Sequence, residues 1–191
     1  MAEPNPEELF NLGMLSYDKQ DFSKARKYFE KACELNYAKG CGNLGWLYAN
    51  GEGVEKNLKK AAQYFSKACD LKDGKGCFNL GRLYYYGEGV EKDFKKALAL
   101  FEKACDLNNS GGCGALGMLY GYGQGVEKNL IKAAQFYSKA CELKDGRGCS
   151  ALGMLYEYGQ GVEKNLTKAD QYISKACKLG DQETCEVLKE K

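Results

Sequence analysis

Ten cysteines are the residues of this chain with the most chemistry to offer, and they fall in a fixed pattern: 33/41, 69/77, 105/113, 141/149 and 177/185, always with seven residues between. A zinc site favours Cys-x2–4-Cys spacing and often histidine. These gaps are too long, and the chain has no histidine. Dithiol redox catalysis of the Cys-x-x-Cys kind needs a motif that is absent here. Structural disulfides remain, and these persist in oxidising compartments. No metal and no cofactor is expected.

Two further patterns could carry chemistry. The Gly-Glu-Gly-Val and Gly-Gln-Gly-Val turns resemble a phosphate loop on the page. They follow helical rather than strand periodicity and lack the Gly-Lys-Ser/Thr that a P-loop requires, so they read as structural turns. Ser66-Lys67-Ala68-Cys69 recurs as Ser138-Lys139-Ala140-Cys141 and Ser174-Lys175-Ala176-Cys177. Adjacent serine and lysine on a helix point apart, unlike the Ser-x-x-Lys of β-lactamases, and no histidine can serve as base for a serine. These segments read as solvated helix surface, and scattered Glu and Lys charges as weak surface pairs. No catalytic residue is assigned.

The elements that position the cysteines come from a repeat. Gly-Val-Glu-Lys begins at Gly53, Gly89, Gly125 and Gly161, a constant step of 36 residues, and a period of this length marks a solenoid. Within one unit Leu80, Leu83 and Tyr84 share a helical face, as do Phe94, Ala97, Leu98, Phe101, Ala104 and Cys105. Asn57, Asp93, Asn129 and Asn165 precede the second helix of each unit, where a short polar side chain caps free amides. Gly45, Gly81, Gly117 and Gly153 lie mid-helix at a cost of about 1 kcal/mol against alanine, which predicts a close approach by the paired helix. The unit is an antiparallel helical hairpin, and the fold class is all-α, an α-solenoid forming a right-handed superhelix.

Residues 1–191 read as a single solenoid domain: a first repeat at 7–36, full repeats at 37–72, 73–108, 109–144 and 145–180, and a polar capping helix at 181–191. The first turn, Asp18-Lys19-Gln20-Asp21, is shorter than the later ones. Two cysteine pairings fit such hairpins. One joins the two helices of a repeat (Cys41 with Cys69, and onward) and leaves Cys33 and Cys185 alone. The other closes each inter-repeat loop, Cys33–Cys41, Cys69–Cys77, Cys105–Cys113, Cys141–Cys149 and Cys177–Cys185, and leaves none alone. The second set is expected. Met1 to Pro6 is acidic, lacks a hydrophobic signal core and reads as a frayed leader on a mature, secreted or periplasmic chain whose signal peptide is gone. A net charge of +2 with interspersed signs gives no footing for nucleic acid, and no apolar run is long enough to span a membrane.

The pattern Leu-Gly-x-Leu-Tyr-x-x-Gly-x-Gly-Val-x-x-Asn/Asp-x-x-Lys-Ala, followed by Tyr/Phe-x-Lys-Ala-Cys, resembles Sel1-like repeats. A cysteine pair in every repeat resembles, more narrowly, the Helicobacter cysteine-rich proteins. The first unit, Asn11-Leu12-Gly13 through Tyr28-Phe29-Glu30-Lys31-Ala32, is similar to a tetratricopeptide repeat. The copies are as alike as those of a consensus or engineered member would be. The resemblance implies an interaction scaffold, with the first helices lining an inner wall. It also implies an enzymatic alternative, weak β-lactam binding or hydrolysis, because such proteins often carry that label.

Candidate binding residues come from what varies on the fixed frame. Three first-helix positions read Phe10/Met14/Tyr17, Gly42/Trp46/Ala49, Phe78/Arg82/Tyr85, Gly114/Met118/Gly121 and Ser150/Met154/Glu157, with Tyr86, Tyr122 and Tyr158 beside them. Trp46, Arg82, Tyr85, Met118, Tyr122, Met154 and Tyr158 have the composition of interface hot spots, although packing against the next hairpin would use the same residues. Tetratricopeptide domains hold a ligand backbone with asparagine directly before Leu-Gly, and by resemblance that role falls to Asn11, Asn43 and Asn79. The expected partner is a peptide or protein segment in a concave groove, bound by a monomer.

Overall fold

The 3.6-residue periodicity becomes helices of uniform length. The computed structural model describes Ala2 and residues 4–189, so Met1 and Glu3 of the leader and Glu190 and Lys191 of the cap lie outside the described residues. Among the described residues the chain forms eleven helices and no strand. It divides into two units, residues 1–97 and 98–191.

The first unit holds α1 (Pro6–Asp18), α2 (Phe22–Glu34), α3 (Ala38–Asn50), α4 (Leu58–Asp70), α5 (Gly74–Tyr86) and the start of α6 (Phe94–Asp106). The second holds the rest of α6, then α7 (Ser110–Tyr122), α8 (Leu130–Glu142), α9 (Gly146–Tyr158), α10 (Leu166–Lys178) and α11 (Gln182–Lys189). Within the units α1 pairs with α2, α3 with α4, α7 with α8 and α9 with α10 as hairpins, and the architecture is that of an α-solenoid.

Local signals explain where each second helix begins. The side chains of Asn57, Asp93, Asn129 and Asn165 accept from the backbone N–H three residues on, at 2.9–3.0 Å. First helices carry caps of their own, which the sequence reading missed: Asp73 accepts from Gly76 and Asn109 from Gly112. The four longer hairpin turns start with left-handed glycines, Gly51, Gly87, Gly123 and Gly159 at φ 66–72°, whereas the short first turn places Gln20 in that region at φ 62°.

Packing explains the mid-helix glycines. A Cβ on Gly45 would stand 2.8 Å from the Phe65 ring, and one on Gly117 2.6 Å from the Tyr137 ring. The paired helix therefore does approach closely, with its aromatic ring against bare backbone. The second turn glycine has a different neighbour. A Cβ on Gly53 would stand 2.6 Å from the carbonyl oxygen of Phe22, and one on Gly89 2.6 Å from that of Leu58. The Gly-x-Gly turn thus rests on the start of the preceding hairpin's second helix. It is a contact between repeats as well as a bend.

Disulfides join Cys33 to Cys41, Cys69 to Cys77, Cys105 to Cys113, Cys141 to Cys149 and Cys177 to Cys185, with Cα separations of 4.5–4.7 Å. Each crosses the short loop from one hairpin to the next. The Ser-Lys-Ala-Cys segments depart from their reading as solvated surface: Ala68, Cys69, Ala140, Cys141 and Ala176 are buried. Lys67 is half-buried, and its Nζ donates to the carbonyl of Cys33 in the preceding hairpin, 2.9 Å away. The Cys33 carbonyl already accepts from the Asn36 N–H at 2.9 Å, and the ammonium is a further partner from the next hairpin at the negative end of the helix.

Candidate functional site

A stacked ring on α3, α7 and α9 fixes the frame from which the candidate residues project. Tyr48 stacks on Tyr64, Tyr120 on Phe136 and Tyr156 on Tyr172, with ring centroids 5.5–5.6 Å apart. A lysine stands over each first-helix ring, Lys60, Lys132 and Lys168 at 5.1–5.3 Å. The invariant tyrosines are thereby consumed by packing. What remains on the first helices is the variable set.

In the first unit two predicted residues come together. Asn43 and Trp46 of α3 line a cleft of about 150 Å³ with Met14 and Tyr17 of α1, Lys75 of α5 and the buried Phe29 beneath. Trp46 is 41 % exposed. The Nδ2 of Asn43 donates to the sulfur of Met14 at 3.1 Å, so this amide bridges α1 and α3. The Tyr17 hydroxyl donates to Glu52 at 3.1 Å. Burial pushes the Tyr17 phenol above its ordinary value, the bond to Glu52 adds to the shift, and a bond to Trp46 opposes it. One rim of the cleft therefore carries the Lys75 ammonium, and Tyr17 is tied to a carboxylate.

The other predicted residues of this unit stand outside the cleft lining. Asn11 is exposed on α1, while Asn79 is only 9 % exposed on α5. Arg82 is exposed, with its guanidinium 5.9 Å from the Phe78 ring centroid. Tyr85 is half-buried between Tyr86 and Phe94, at centroid distances of 4.9 and 5.2 Å. Met14 and Tyr17 belong to the variable positions visible in the sequence. Lys75 does not, and no local signal marks it, because it reaches the cleft from a helix two hairpins along.

In the second unit Tyr122 is 75 % and Tyr158 67 % exposed at the ends of α7 and α9, and Met154 is exposed while Met118 is half-buried. Tyr137 takes the place that Phe29 and Phe65 hold in the first unit, against Gly117. Burial pushes its phenol up to about 12, with Tyr122 contributing. Among the described residues no group of three or more His, Cys, Asp or Glu is placed to hold a metal, and no helix is long and apolar enough to cross a membrane.

The Sel1 repeat family matches residues 38–73, 74–109, 112–145 and 146–181, well over half of the chain. The chain belongs to the Sel1 repeat family. A tetratricopeptide repeat matches residues 6–37. Among solved Sel1 relatives, the Sel1 repeat protein from Oxalobacter formigenes is 29 % identical with a TM-score of 0.88, over 94 % of this chain and 75 % of that one. Helicobacter pylori cysteine-rich protein B is 42 % identical with a TM-score of 0.57, over 69 % of this chain and 95 % of that one. The curated protein Beta-lactamase HcpA of Helicobacter pylori strain J99 is 54 % identical over 59 residues, 31 % of this chain and 24 % of that protein. The matches to such curated relatives span about a fifth to a quarter of their length.

Sel1 repeats are in general scaffolds that bind proteins or peptides rather than catalysts. Five disulfide-bonded pairs, together with Helicobacter relatives, mark an oxidising, secreted or periplasmic setting.

Proposed function

We propose that this Sel1 repeat protein is a non-enzymatic scaffold that binds a peptide or protein segment along the variable face of its first helices. The observation that carries this is the cleft between α1 and α3, where Trp46 stays 41 % exposed beside Met14, Tyr17 and Asn43. A large aromatic ring at the edge of a side-chain-sized recess is the composition that dominates interface energetics. Asn11, Arg82 and the half-buried Tyr85 extend the surface in the first unit, while the buried Asn79 lies beneath it, and Met118, Tyr122, Met154 and Tyr158 offer a second patch.

A random dodecapeptide library selected on the full chain provides the test. Peptides enriched on the parent should bind the Trp46→Ala, Arg82→Ala double variant at least ten-fold more weakly, with helical content unchanged by circular dichroism. Equal binding by parent and variant would remove the cleft from the site.

The name of HcpA favours one second reading, a weak β-lactam-binding or β-lactam-hydrolysing protein. The serines of the Ser-Lys-Ala-Cys segments offer it little, since Lys67 is committed to the Cys33 carbonyl. Turnover of a chromogenic cephalosporin that persists through purification to constant specific activity would decide for it.

A further inference from the structure

The loop between α6 and α7 departs from its sister loops in a way that the scaffold reading does not use. Two sister loops read Lys72-Asp73-Gly74-Lys75-Gly76 and Lys144-Asp145-Gly146-Arg147-Gly148, with three charged side chains each, and the α2–α3 loop reads Asn36-Tyr37-Ala38-Lys39-Gly40, with one. Here the same stretch reads Asn108-Asn109-Ser110-Gly111-Gly112, with none. Asn108 and Ser110 make an Asn-x-Ser acceptor motif, and Asp106 stands two residues ahead, as the acid does in the bacterial form of that motif.

We propose that Asn108 is the acceptor of an N-linked glycan. The side chain is exposed at the loop tip, where the backbone is left-handed at φ 59°. The fold of the loop is carried by other groups. Asn108 contributes its backbone N–H to the Cys105 carbonyl at 2.9 Å, Asn109 caps α7 through Gly112 at 2.8 Å, and Cys105 is bonded to Cys113. A substituent on the Asn108 amide therefore disturbs no cap, and the small residues after it leave room for a transferase. The disulfides put the chain in the kind of compartment where such transfer occurs.

A second motif, Asn165-Leu166-Thr167, supplies the contrast. Asn165 is half-buried, and its side-chain oxygen takes the Lys168 N–H at 2.9 Å as the cap of α10. Its amide is held where that of Asn108 is free to turn outward.

The donor is a polyprenyl-pyrophosphate-linked oligosaccharide, delivered by an oligosaccharyltransferase. The Asn108 Nδ2 forms a bond to C1 of the first sugar and the C1–O bond to pyrophosphate breaks. The amide gives up one proton to a base of the transferase, and polyprenyl pyrophosphate leaves with the bonding pair. Nothing is oxidised or reduced.

The full, oxidised chain, incubated with a purified bacterial single-subunit oligosaccharyltransferase and its lipid-linked oligosaccharide, tests this by intact mass. The parent should gain one glycan mass, Asn165→Gln should gain the same, and Asn108→Gln should lose at least nine-tenths of it. Asn108→Gln is expected to fold, because Lys72 and Lys144 hold the same left-handed position at φ 66° and 67°. An Asn108→Gln mass pattern indistinguishable from the parent's, under conditions that fully modify a free acceptor peptide, would overturn the assignment.

Discussion

Single atoms decide much of this chain's behaviour, and Gly45 shows how. Alanine there would gain about 1 kcal/mol of helix propensity, yet its methyl would stand 2.8 Å from the Phe65 ring in a filled core. Overpacking of that kind costs about 1–3 kcal/mol, so Gly45→Ala should be destabilising by about 1 kcal/mol net in urea unfolding. Adding Phe65→Leu should bring part of that cost back. Asp73 supplies a pH argument. Burial raises its carboxyl pKa above the ordinary value, against the opposing pull of bonds from the Gly76 and Lys75 backbone. A raised folded pKa means that the protonated side chain is favoured by folding. Its stabilising contribution is full below the ordinary carboxyl pKa and is lost as pH rises through the folded value. Asn109 performs the same cap without a charge, at 2.8 Å. Asp73→Asn should therefore raise Tm at pH 7, and the gain should shrink towards zero by about pH 3. A Tm difference that grows on acidification would contradict the assignment.

Elements were legible in the sequence to the extent that their causes are local. Helices, their length and the four Asn/Asp caps follow from periodicity and from one residue type at one place. The cysteine pairing seen here is the one that strands no cysteine. Contacts between one hairpin and another were not legible, because nothing in a local window encodes them. The bond from Lys67 to Cys33, the tie from Tyr17 to Glu52 and the entry of Lys75 into the α1–α3 cleft are all of this kind. The turn glycines show the same limit. Gly51 and Gly53 both have positive φ, 72° and 67°, which their sequence spacing already implied. Only the fold reveals that a Cβ on Gly53 would stand 2.6 Å from the backbone carbonyl oxygen of Phe22, whereas one on Gly51 would stand 3.2 Å from its nearest neighbour, the Cβ of Lys56. Alanine at Gly51 should cost about 1 kcal/mol, the penalty for a left-handed alanine. Alanine at Gly53 adds a backbone clash between hairpins and should cost about 2–4 kcal/mol. Equal costs in chemical denaturation would mean that the contact between repeats contributes nothing.

At the scale of the whole chain the five short covalent loops set the terms of stability. Each closes a loop of about nine residues, worth roughly 2.5 kcal/mol as an upper figure in the chain-entropy account. Together they rival the roughly 5–15 kcal/mol by which a folded protein typically exceeds its unfolded state. Access to the sulfurs is unequal. The cysteines at 33, 41, 69, 77, 105, 113, 141 and 149 are at most 2 % exposed, whereas Cys177 and Cys185 are half-buried. A thiolate must reach sulfur to exchange, so the buried bridges wait for a hairpin to open, and the Cys177–Cys185 bridge does not. Its loss releases α11, eight residues long and too short to persist as an isolated helix in water. Limited treatment with dithiothreitol, followed by alkylation and peptide mass mapping, should label Cys177 and Cys185 first, with a small loss of ellipticity at 222 nm. The remaining eight thiols should then appear together as the helical signal collapses. Labelling of all ten at one rate would show that the bridges are protected by the whole fold rather than by the burial of each, because only a global opening would then expose any of them.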